Sequence, residues 1–201
     1  MATKIFGITV KSTDRINDQL VSNIRKINTH EMASNRFDFT TTGTNPVLEL
    51  ILTDSPTVTW YWGDGTTSSG AAPSKTFVNT DRRDNYVTIE PASALTRINR
   101  NGRELRTVDN LGNFPNLNYL YFYSWTTGEH LDLVGCTAMR EWHLLGAIAS
   151  TTEVDQWIID QAAAFSEIAD SSISGNFYCP SRTSASDSAR SIIIAKGITW
   201  H

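Results

Sequence analysis

Three segments of this chain repeat one pattern: IEPASALTRINR (Ile89–Arg100), LGNFPNLNYLYF (Leu111–Phe122) and LVGCTAMREWHL (Leu133–Leu144). Aligned at 22 residues, four columns are mainly apolar: Ile89/Leu111/Leu133, Ala92/Phe114/Cys136, Leu95/Leu117/Met139 and Ile98/Leu120/Trp142. A fifth column, Arg100/Phe122/Leu144, is apolar in two rows and charged in the first. A unit this short holds one brief strand and cannot bury its apolar face alone, so neighbouring units must stack into a continuous core. Along a strand, the positions between the apolar ones face the other way. The register therefore predicts two outward ladders, Arg97/Tyr119/Glu141 and Asn99/Tyr121/His143, with Tyr123 and Trp125 extending their aromatic part. Exposed Tyr and Trp bring large contact area at small rotamer entropy and are enriched at interfaces. These residues form the candidate partner-binding surface. The other reading makes Tyr119 and Tyr121 cross-strand stabilisers, or a surface covered by the N-terminal segment.

Before the repeats, residues 35–90 read as short β-rich runs separated by Gly, Pro, Asn, Asp and Ser: Phe37–Thr41, Val47–Leu52, Thr57–Trp62, Lys75–Val78 and Tyr86–Ile89. In Thr57–Trp62 the alternation places Val58, Trp60 and Trp62 on one side, which predicts a buried aromatic face. Trp62-Gly63-Asp64-Gly65-Thr66 supplies a tight turn in which Asp64 bonds the backbone ahead of it. Residues 1–34 read as an arm. Lys4–Val10 is expected to be a short strand, and Ile16, Leu20, Ile24 and Ile27, widened by Val21, form one stripe of an amphipathic helix. That stripe either packs on its own domain or serves as an assembly and docking element.

WYWGDGTTSSG (Trp60–Gly70) resembles the W-x-F/W-G-D-G-T signature of PKD-like domains, which are small immunoglobulin-like β-sandwiches. Lys75–Phe77 and Tyr86–Ile89 match the later part of that pattern loosely, and its usual H-x-Y is missing. The repeat rows, with their L-x-x-L-x-L core and a period inside the usual range of about 20–29 residues, resemble leucine-rich repeats. A PKD-like module running into irregular leucine-rich repeats looks like repeat proteins of Bacteroidetes surfaces and of their bacteriophages. The resemblance implies an α+β fold: an N-terminal arm (1–34), a small Ig-like (PKD-like) β-sandwich (35–90), and a short leucine-rich-repeat domain with C-terminal helices and cap (91–201). It also implies a non-enzymatic, structural or adhesive role; with no export signal and an arm suited to docking, the expectation is a virion structural protein, a capsid decoration or tail-associated subunit, with other virion proteins or itself as partners and a host surface protein or glycan as a further one. The alternatives are a bacterial cell-surface adhesin module and a glycan-binding module.

After the third row, a helix is expected from Thr151 or Thr152 to about Ala169, burying Val154, Trp157, Ile158, Phe165 and Ile168. A strand in Ser174–Ser181, a helix over Ser184–Lys196 ending at Gly197, and a short strand Ile198–Trp200 complete a capping unit. Hydrophobic residues at 40% and charged residues at 19% mark a globular chain, and the net charge of −4 without a basic block argues against a nucleic-acid partner. No apolar run reaches the ~18 residues of a membrane span. The N-terminal apolar stretch is too short for a secretory signal, so the expectation is a chain used without such export, or one whose leader is removed.

His30, His130, His143 and His201 show no metal-ligand spacing, and neither a G-x-S-x-G elbow nor a phosphate loop is present. No catalytic residue, metal or cofactor is therefore expected. Glu129-His130 with Asp132 reads as a solvated loop, and Gly102 and Gly112 as turns between repeats. Asp64 reads as structural, since hard cations want six to eight oxygen ligands and no acidic cluster surrounds it. Cys136 lies in a core column and reads as a buried thiol; its pairing with Cys179 is left open.

Overall fold

The computed structural model describes residues 3–5, 8–10, 34–101, 104–123, 130–145, 151–168, 173–178 and 182–201. The chain divides into two compact units, Met1–Ala33 and Ser34–His201. In the first, β1 (Thr3–Ile5) and β2 (Ile8–Val10) pair antiparallel, with Thr3 opposite Val10. The single strand expected over Lys4–Val10 is thus two strands, each satisfying backbone groups that one lone strand would leave open. The helical stripe of Ile16, Leu20, Ile24 and Ile27 lies outside the described residues.

The second unit is α+β, built from two mixed sheets and two α-helices among its described residues. Its elements are β3 (Arg36–Thr42), β4 (Glu49–Leu52), β5 (Thr57–Tyr61), β6 (Thr67–Ser69), β7 (Arg82–Glu90), β8 (Leu95–Asn101), β9 (Leu105–Asp109), β10 (Tyr119–Tyr123), β11 (His130–Leu131), β12 (Glu141–Leu145), α1 (Thr151–Glu167), β13 (Ser174–Phe177), α2 (Asp187–Ala195) and β14 (Ile198–Trp200). Sheet I has the order β6–β5–β7–β3–β9–β11, and sheet II the order β4–β8–β10–β12–β13–β14. Strands from both sides of residue 90 share each sheet. β4 pairs antiparallel with β8, and β3 pairs antiparallel with β9. Early strands thus cover the edges of the first repeat's strands, which would otherwise expose unpaired backbone.

The 22-residue register is visible in sheet II. Tyr119 pairs with Arg97 and Glu141, Leu120 with Ile98 and Trp142, and Phe122 with Arg100 and Leu144, all in parallel ladders. The apolar columns point inward: Ile98, Leu111, Leu117, Leu120, Phe122, Met139, Trp142 and Leu144 are fully buried, and Phe114, Leu133 and Cys136 nearly so. Successive turns touch at Gly112. A Cβ there would lie 2.1 Å from the Val134 carbonyl oxygen, so only glycine permits this approach. Fully burying one large apolar side chain contributes roughly 1.5–3 kcal/mol, and both sheets feed the same continuous core.

Sheet I buries the expected aromatic face. Val58, Trp60 and Trp62 are at most 5% exposed, and the two Trp rings stack at 5.6 Å with Phe39 edge-on to both. Two strand expectations need correction, and one further strand was not foreseen. Lys75–Val78 is not a strand: Phe77 makes one backbone bond to Thr44 and lodges its ring 6.0 Å from Trp62, without entering a ladder. Thr67–Ser69, directly after the expected turn and not foreseen as a strand, returns along β5 as β6. The last strand extends back through Arg82–Asn85, because buried Asn85 satisfies its amide on Thr41, Phe39 and Arg83 and accepts the Gly63 N–H.

At the C-terminal end, the five apolar residues expected to be buried along the first helix are so, although α1 ends at Glu167, short of the expected Ala169. Trp142 packs against Phe165, Phe177 and Trp157 at 4.9, 5.2 and 6.4 Å. Asp155 of α1 accepts bonds from Ser186 Oγ and from the backbone and hydroxyl of Thr183, tying α1 to the start of α2. These donors hold its carboxyl below the usual range, Ser186 contributing most. The expected strand over Ser174–Ser181 is β13, four residues long, and the helix expected from Ser184 begins as a 3-10 turn before α2. Gly197 follows at φ +100, the left-handed position that ends the helix.

Candidate functional site

The outer face of sheet II carries the predicted ladders. In β10 and β12 the burial alternates, with Tyr119, Tyr121, Glu141 and His143 on the solvent side. The Arg97 guanidinium lies 3.8 Å from the Tyr119 ring centre, where the face of the ring attracts a cation. Tyr119 stacks on Tyr121 at 6.4 Å, and His143 tilts against both, at 6.1 and 5.4 Å. Tyr123 continues the row at 47% exposure. Burial, reinforced by the Glu141 charge, raises the Tyr119 phenol above its ordinary value.

A hydrogen-bond chain holds the far side. His143 Nε2 lies 2.9 Å from Glu141 Oε1, and Asn176 Nδ2 lies 3.2 Å from His143 Nδ1. The tautomer with its proton on Nε2 meets both contacts. Asn176 Oδ1 in turn sits 3.1 Å from His201 Nε2. Strands β8, β10 and β12 are thus cross-tied by a chain of contacts running from Arg97 through Tyr119 and Tyr121 to His143 and Glu141. Asn99 joins by register beside Tyr121 and lines, with Val47, Glu49, Arg100, Tyr121 and Tyr123, an open groove of about 410 Å³. Trp125 lies outside the described residues.

Asn176, His201 and Glu49 belong to this face without a sequence signal. β13 follows α1, so Trp142 pairs with Gly175 at a spacing of 33 rather than 22 residues, and the register could not be carried across. Glu49 arrives from β4, opposite Asn99. Arg100 was visible as the charged member of an apolar column.

Other polar groups are engaged in local contacts. Asp64 Oδ1 accepts from Thr66 N and Oγ1 at 3.0 and 2.7 Å, and Oδ2 pairs with Lys75 at 2.6 Å. Lys75, followed by Thr66, holds its carboxyl down at about 2. His130, read as part of a solvated loop, is in β11, with its Nε2 3.3 Å from Asp109 Oδ1, while Leu131 beside it is fully buried. Burial raises the Asp109 carboxyl, against the pull of His130. Cys136 is a free thiol pushed by burial to about 12, which removes the thiolate that nucleophilic or metal chemistry needs. Among the described residues, no group of three acidic, His or Cys side chains is placed to hold a metal, and no helix is long and apolar enough to cross a membrane.

The arrangement offers stacked aromatic faces, one guanidinium, carboxylates and amides on a rigid sheet, which is equipment for binding. Comparison with protein-family models, curated proteins and solved structures gives no match.

Proposed function

We propose that this chain is a non-enzymatic structural protein of a bacteriophage virion, a capsid-decoration or tail-associated subunit that contacts other virion proteins or further copies of itself. In this reading residues 35–90 supply PKD-like strands that share both sheets with the later rows, which are leucine-rich repeats. The W-G-D-G-T turn clasped by Asp64 and Lys75 supports the first assignment, and the parallel 22-residue ladder supports the second. The observation that carries the functional reading is the cross-tied outer face of sheet II, where Arg97, Tyr119, Tyr121, Glu141 and His143 constrain one another. Such a surface loses little side-chain entropy when a partner covers it. The amphipathic stripe read at Ile16, Leu20, Ile24 and Ile27 is the proposed assembly arm.

The test is mass spectrometry of purified particles and of host envelopes from cells carrying the gene. The chain is expected in particles at a fixed ratio to the major capsid protein. Its recovery in the envelope alone overturns the virion setting in favour of a bacterial surface adhesin.

A further inference from the structure

The groove of about 410 Å³ on the outer face of sheet II takes its shape from side-chain length. Glu49, Asn99 and Tyr121 stand in one cross-strand row, Glu49 opposite Asn99 and Asn99 opposite Tyr121. Short Asn99 forms the floor, with Glu49 and Val47 along one wall and Tyr121 and Tyr123 along the other. Two strand spacings, about 10 Å, separate those walls. Arg100 is only 3% exposed and belongs to the inward column with Phe122 and Leu144, so its charge faces the core. Among the described residues, the charge offered to the groove is therefore the exposed carboxylate of Glu49.

Val47 and Tyr123 are 49% and 47% exposed. Among the described residues Glu49 has no hydrogen-bond donor or ion-pair partner, and no cation lies over Tyr121 or Tyr123. Arg97, on the same face, already covers Tyr119 at 3.8 Å. Sheet I carries the same groups with a cation between them. There Arg36 lays its guanidinium 3.6 Å from the Tyr86 ring centre and donates from Nε to Asp38 Oδ1 at 2.9 Å, Asp38 lying directly opposite Tyr86. The ring face attracts the flat cation, and the carboxylate accepts its N–H groups. On sheet II the carboxylate and the rings stand one strand further apart, which leaves the width of an incoming side chain.

We infer that this groove receives an arginine side chain of a protein partner, its guanidinium on the Tyr123 ring beside Tyr121, its N–H groups on Glu49 and its methylenes along Val47. The groups present select this chemistry. An acidic ligand meets Glu49 as a like charge, and a neutral sugar stacks on the rings but leaves that charge unanswered. A lysine ammonium is a compact point charge and lacks the planar fork that serves ring and carboxylate together. The wider face agrees, because Arg97 and Glu141 cancel and Glu49 leaves it acidic, as the whole chain is at −4. The inference rests on the binding-face reading and deepens it by naming what the partner presents.

The test is titration of the full chain at low salt with acetyl-Gly-Arg-Gly-amide, followed by saturation-transfer NMR. The same tripeptide carrying lysine or citrulline, and methyl galactoside, are titrated beside it. The arginine peptide is expected to bind at least about fivefold tighter than citrulline, its neutral counterpart, and at least about twofold tighter than lysine. Glu49→Gln, which keeps the shape of an exposed side chain, should weaken arginine binding at least about threefold at an unchanged melting temperature. Tyr123→Ala should weaken it similarly; if that variant fails to fold, Tyr123→Leu takes its place. Glu90→Gln, which removes an equal exposed charge from sheet I, should leave the affinity as it was. Equal binding of the citrulline or lysine peptide, tighter binding of the galactoside, or full affinity in Glu49→Gln overturns the inference. A failed titration with the chain still found in particles removes the arginine site alone. The expected titration with the chain absent from particles keeps the site and removes the virion setting.

Discussion

Replacing Trp142 by Ala asks whether the 22-residue register assigns inside and outside correctly. Trp142 is fully buried and meets three aromatic rings from α1 and β13. Its removal takes away the largest side chain joining the repeat rows to the C-terminal unit. Truncations of this kind cost about 3–5 kcal/mol through lost transfer energy and the remaining cavity. For a unit of this size, about 2–4 °C per kcal/mol gives a fall in Tm of about 6–20 °C. The control is Tyr121→Ala, one strand away on the opposite face. Tyr121 touches Tyr119 and His143 but stands on the solvent side, and cross-strand pairs of this kind contribute about 0.2–1 kcal/mol each. Thermal melts by circular dichroism and urea titrations of the two variants check the contrast. Equal losses, or a loss below about 1 kcal/mol for Trp142→Ala, the level of ordinary surface changes, would refute the register.

Three further outcomes follow from single contacts. Gly112→Ala puts a methyl group 2.1 Å from the Val134 carbonyl oxygen and should destabilise by at least about 1–3 kcal/mol as an overpacked site, read from the urea midpoint. Asp64 has a folded pKa of about 2, below its ordinary 3.8, so its contribution is present above the higher value and is lost as pH falls through the lower one. The Tm difference between the native chain and Asp64→Asn should therefore close on acidification across that window. Cys136, buried with its thiol near 12, should stay unmodified by iodoacetamide in the native chain and react after unfolding, as peptide mapping would show; modification of the folded protein would contradict its placement.

The ladder of sheet II was legible because one offset governs three rows, so pairing Tyr119 with Arg97 and Glu141 required only counting. That legibility stops at α1. An inserted helix changes the spacing, and the contacts of Asn176 and His201 with the face are then matters of tertiary placement. The union of early and late strands was hidden for a related reason. β3 with β9 and β4 with β8 are antiparallel pairs between distant segments, and neither carries a local turn signal. Thus the boundary drawn at residue 90 from the two motifs falls between strands that share both sheets. Lys75–Val78 shows the opposite limit. Its β-rich composition reflects Phe77 filling a place beside Trp62, with Lys75 and Arg83 over the ring, and not a strand. Arg100 was conspicuous as an intruder in an apolar column, but only the structure shows that it is buried there with its Nη1 unmet.

The central claim is that the outer face of sheet II is covered in an assembled particle. Hydroxyl-radical footprinting, read residue by residue on free protein and on purified particles, tests it directly. Tyr119, Tyr121 and Tyr123 should be oxidised in the free chain and protected in the particle, while half-buried Tyr61 and Tyr86 on sheet I serve as the internal reference. Equal oxidation of the three tyrosines in both states would contradict the account.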